Sequence, residues 1–89
     1  MEMTQDERDL TARLLRAHHM HVTRLIMEVE QLSRAVPEGH WRWHDLHPDG
    51  YTRKTEDELA ADRERHARRL AELRTERAVT ESALAAVEL

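Results

Sequence analysis

Seven histidines and two tryptophans are the side chains of this chain best suited to chemistry or recognition. His18, His19 and His21 crowd one stretch, while His40, His44 and His47 fall at steps of four and three. On a helix such steps put ligands on one face, as zinc sites often do. The stretch around residues 40–47 reads as extended or turned instead, which breaks that face. Cysteine is absent, and no His-Glu-x-x-His pattern pairs two ligands with a general base. No metal or other cofactor is therefore expected, and a His-ligated metal protein stands as a secondary reading. No Ser-His-Asp set, Gly-rich phosphate loop or carboxylate dyad can be assembled, so the chain is not expected to be an enzyme.

Trp41 and Trp43, with Arg42, His44 and Tyr51 near them, have the composition of an interface hot spot. These five are the expected partner-binding residues. The competing reading makes the tryptophans an aromatic plug that closes one end of the fold. Both tryptophans, both prolines and both glycines lie in one segment, residues 37–54. Pro48-Asp49-Gly50 within it predicts a turn, since proline presets φ at one corner and glycine accepts the positive φ that follows. A short β-hairpin, or an irregular Trp- and His-rich tip, is expected there.

Two long segments flank that tip and must position it. Each opens with Thr-x-x-Glu, as Thr4-Gln5-Asp6-Glu7 and Thr55-Glu56-Asp57-Glu58. In such a capping box the Thr hydroxyl takes the amide three residues on, and the Glu carboxylate reaches back to the Thr amide. The first helix is predicted over 4–36, ending before Pro37 because the residue preceding proline is pushed out of the α region. Leu15, His18, Val22, Leu25, Val29, Leu32 and Val36 recur at steps of three and four, an a/d seam. Leu10, Leu14, Ala17 and Ile26 are read as widening that stripe. The second helix is predicted over 55–88. Its seam is Leu59, Arg63, His66, Leu70, Leu73, Arg77, Thr80, Leu84 and Val87, beside a line of Ala60, Ala67, Ala71, Ala78 and Ala85. Arg63 and Arg77 are expected to snorkel from the seam.

Near-equal lengths and one connector predict a mainly all-α fold: a single-domain, antiparallel two-helix coiled-coil hairpin. If Val36 meets Thr55, then Leu32 faces Leu59, Leu25 faces His66, His18 faces Leu73, and Glu28 pairs with Arg63. Two helices alone leave much of each stripe wet, so dimerisation into a four-helix bundle, or docking on a larger protein, is expected.

Composition narrows the partners. Charged residues make up 36% and the net charge is −4, with acids and bases interleaved, a poor footprint for nucleic acid. The local cluster Arg65, His66, Arg68 and Arg69 sits among Asp62, Glu64 and Glu72 and reads as a solvated helix face. A small nucleic-acid-binding regulator with a wing-like hairpin is kept as an alternative. No apolar run approaches the ~20 residues of a membrane span, and the first residues are acidic, unlike a signal peptide. A cytoplasmic protein is expected. Thirteen arginines against the single Lys54 accord with high-GC coding, of actinobacteria or their phages, where a virion component would fit. The expected function is a non-enzymatic interaction or assembly module working through its helix faces and its Trp41/Trp43 tip, with itself or a larger protein as partner.

Overall fold

The computed structural model describes residues 2–34, 41–43 and 51–88. Helix α1 spans Gln5–Arg34 and helix α2 spans Glu56–Glu88. Between them, β1 (Trp41–Trp43) pairs antiparallel with β2 (Tyr51–Arg53), setting Trp41 opposite Arg53, Arg42 opposite Thr52 and Trp43 opposite Tyr51. The turn expected at Pro48-Asp49-Gly50, the seam position Val36, and His40, His44 and His47 lie outside the described residues. So do the side chains of Trp41, Arg42, Trp43 and Tyr51.

Both helices start where their capping boxes place them. The Glu7 amide donates to Thr4 Oγ1 at 3.2 Å, and the Thr4 amide donates to the Glu7 carboxylate at 3.3 Å. Thr55 and Glu58 repeat this at 3.2 and 3.4 Å. Each box satisfies backbone donors that the first helical turn leaves orphaned. Asp6 and Glu7 in one first turn, and Glu56, Asp57 and Glu58 in the other, put negative charge at the positive end of each helix dipole. Neither helix contains Gly or Pro, so nothing within them interrupts the 3.6-residue repeat.

The helices form an extended antiparallel hairpin of 63 × 20 × 20 Å. Its deepest contact is small: Val22 and Ile26 of α1 enclose Leu73 of α2, with Val22 and Leu73 each 1% exposed. Leu25, Val29 and Leu70 pack around them. On α2, Leu59 and Thr80 are buried and His66, Leu70, Arg77, Leu84 and Val87 are half-buried. Arg63 is exposed, and Asp62 turns inward in its place. The alanine line from Ala60 to Ala85 faces water throughout.

On α1 one expected line of the seam is displaced. Leu15, Val22 and Val29 turn inward, yet His18 is exposed and Leu32 is 59% exposed. The second line runs instead through Ala12, His19 and Ile26. This small rotation carries Arg16 and Glu30 to the edge of the interface, where Arg16 bonds Glu88 and Arg74 reaches Glu30 at 3.4 Å. His18 and His19 contact Glu76 and Glu81, each at 2.9 Å.

The register differs too. Leu73 sits against Val22 and Ile26 rather than His18, and Glu28 forms no ion pair with Arg63 among the described residues. α2 is displaced by roughly two turns from the expected pairing. Arg16 meets the last helical residue, Glu88, so the first turns of α1 run past the end of α2. The stagger accords with a long axis that exceeds either helix, about 45 and 50 Å at 1.5 Å per residue. No described helix is long and apolar enough to cross a membrane.

Two substitutions test this core. Leu73→Ala removes the buried α2 side chain that packs on Val22 and Ile26 and is expected to cost about 2–4 kcal/mol in urea unfolding followed by circular dichroism. Thr23 Oγ1 is buried with no hydrogen-bond partner among the described residues. Thr23→Val, of nearly the same shape, is therefore expected to stabilise the hairpin by about 1 kcal/mol in the same measurement.

Candidate interaction surface

Two features of this hairpin have enough chemical character to recognise something, the tip and the apolar residues that the helices leave in water, and an anchor joins the tip to α2. The tip residues Trp41, Arg42, Trp43 and Tyr51 belong to the two paired strands, whose ladder sets Trp43 opposite Tyr51. A two-stranded ladder of this length is marginal alone in water, so its attachment to the helices governs how the tip is held.

Lys54 makes that attachment. It follows β2 directly, and its ammonium bonds Asp62 on α2, with both side chains half-buried. Arg65, one turn further on, closes on the other Asp62 oxygen. The Lys54 hydrogen bond is the main reason the Asp62 carboxyl titrates below its ordinary value of 3.8. Desolvation opposes this as the next-largest influence, and positive charge on Lys54, Arg65 and His66 adds to the depression. The sole lysine of the chain thus pins the exit of the tip to α2. Periodicity pointed to Arg63 at this place and missed Asp62; the overlooked signal was a lone Lys eight residues upstream of an acid.

The helices leave Leu10, Leu14, Met20, Met27, Leu32 and Val79 exposed. Leu10, Leu14 and Ala17, expected to broaden the inner stripe, face water instead. Met20 also borders an open, mostly apolar groove with Leu84 and Ala85, closed along one side by the Arg16–Glu88 and His19–Glu81 contacts. Among the described residues no three His, Cys, Asp or Glu side chains converge as a metal ion would need. His18, His19 and His66 are spent on helix contacts or the seam, and His21 accepts from Arg24 at 3.4 Å.

Comparison of the chain with protein-family models, curated proteins and solved structures finds no match.

The anchor has a pH signature. Folding depresses the Asp62 pKa, so the stability it adds is present above 3.8 and is lost as pH falls through the lower folded value. Lys54→Met is expected to move the Asp62 titration, followed by carboxyl-detected NMR, back toward 3.8 and to flatten that acid loss. An unmoved Asp62 titration would show that Lys54 does not hold it.

Proposed function

We propose that this chain is a non-enzymatic interaction and assembly module that presents its helix faces and its Trp41/Trp43 tip to protein partners, including copies of itself. The observation that carries this reading is a mismatch in apolar surface. Among the described residues the hairpin buries Ala12, Val22, Ile26, Leu59 and Leu73, yet it exposes seven large hydrophobics: Met3, Leu10, Leu14, Met20, Met27, Leu32 and Val79. Scattered exposed Leu or Met is ordinary, but a fold that leaves more large apolar side chains in water than it encloses has surface to cover. At roughly 25 cal/mol per Å² of apolar area, covering a few of them stabilises an assembly by several kcal/mol.

The tip supports the same reading. The ladder brings two tryptophans and a tyrosine into six paired positions, with Trp43 opposite Tyr51 in register. Segments of this composition supply the anchors of many interfaces. Self-association into a four-helix assembly follows from the same economy, since a second hairpin supplies the apolar surface that two helices lack.

Light scattering at micromolar concentration, with affinity capture from the native host, tests the proposal. A stable oligomer or a stoichiometric captured protein is the expected result, whereas a strict 10.5 kDa monomer that captures nothing overturns it. Replacing Trp41 and Trp43 by Ala is expected to abolish capture at unchanged melting temperature. A fall in melting temperature with capture intact would make the tryptophans a structural plug.

A further inference from the structure

We infer that two copies of this chain dock through the outer face of α1, antiparallel and crossing at Leu14. The inference rests on the assembly reading above and names its partner and its surface. Leu10, Leu14 and Ala17 fall at i, i+4 and i+7, so they share one face of α1, and all three are exposed. Leu10 is 54% and Leu14 62% exposed, on the side turned away from Val22 and Ile26.

Charge decides what covers this face. One turn before Leu10 the same face carries Asp6 and Glu7; beyond Ala17 it carries His21 and Arg24. Residues 10–27 hold three Arg and three His and no acid at all. From Asp6 to Arg24 the face therefore reads acid, apolar, base, with Glu7 and His21 each seven residues from Leu14; Glu28, a turn further on, lies beyond the overlap of two copies crossing at Leu14. A two-fold axis through Leu14 lays the acidic end of one copy on the basic end of the other and sets Leu14 against itself. Such a surface is complementary to its own copy, as a two-fold interface requires.

The hydrogen bonding agrees. Arg24 donates to His21 Nδ1 at 3.4 Å, which puts the proton of the neutral ring on Nε2, free to donate to a carboxylate such as Glu7 of the second copy. The register also sets Arg13 beside its own copy, an exposed pair whose repulsion salt screens. The contact covers about three helical turns and is smaller than a standard ~1,600 Å² interface, so micromolar association is expected.

The test uses the full chain and two opposite charges at the axis. Leu14 is exposed and Glu and Lys are good helix formers, so Leu14→Glu and Leu14→Lys are expected to keep the helical content of the parent by circular dichroism. In sedimentation, the parent should have twice the 10.5 kDa chain mass and each variant the mass of one chain, with dimerisation weakened at least about tenfold. Mixed in equal amounts, the two variants should restore a dimer, because only a two-fold at Leu14 places Glu against Lys. Variants that stay dimeric alone, or a mixture that stays monomeric, overturn this face while leaving the assembly reading intact. A monomeric parent that still captures a foreign protein overturns self-docking alone; a monomeric parent that captures nothing overturns both.

Discussion

The seating of Leu73 between Val22 and Ile26 is the contact on which the rest of the hairpin depends. Among the described residues this is the one buried apolar cluster that joins the helices, and stability in so small a chain is scarce. The remaining seam is mixed in character: Thr80 lies buried with its hydroxyl bonded back to the Glu76 carbonyl, and His66 and Arg77 line the flanks. Orientation is set at the edge. Arg16 and Glu30 lie two heptads apart, as do Arg74 and Glu88. Antiparallel helices bring each cation to an anion, whereas parallel ones would set Arg16 against Arg74 and Glu30 against Glu88. Each exposed bridge contributes at most about 1 kcal/mol, but the alternative arrangement is penalised as well, which sharpens the choice.

Much of this fold is legible in the sequence. The two Thr-x-x-Glu boxes, the confinement of Gly and Pro to one segment, and the Leu59-to-Val87 repeat of α2 give two helices and their starting points. The inner face of α1 is not legible from periodicity, because two frames share Leu15, Val22 and Val29 and differ in one line only. Counting apolar residues favours His18, Leu25 and Leu32. The molecule takes Ala12, His19 and Ile26 and keeps Leu25 half-buried beside them, since that rotation also brings Arg16 and Glu30 within reach of α2. The choice is made between helices and leaves no mark on either one read alone. Register eluded the pattern for a related reason: it depends on how the connector meets α2, and Lys54 fixes that junction through Asp62.

The outward surfaces follow from the same accounting of contacts. A rod 63 Å long and 20 Å thick has a large surface for its interior, so it offers faces rather than clefts. The surfaces proposed for recognition are accordingly spread along its length: aromatic strands at one end, tied down by a lysine, and a leucine-bearing helix back toward the other. These surfaces have to be understood from their chemistry, through charge order, exposure and spacing.

His18 and His19 are neighbours in the chain, yet they reach Glu76 and Glu81, which stand about 140° apart around α2 at 100° per residue. One imidazole therefore grips each flank of the opposing rod, like the tines of a fork astride a rail. Rolling α1 about its own axis in either direction would pull one tine away while driving the other into the rail. The aliphatic seam, which is greasy and nearly isotropic, offers no comparable resistance to such a roll. This straddle fixes the azimuth of the whole helix, and with it the compass bearing of everything α1 displays to the outside.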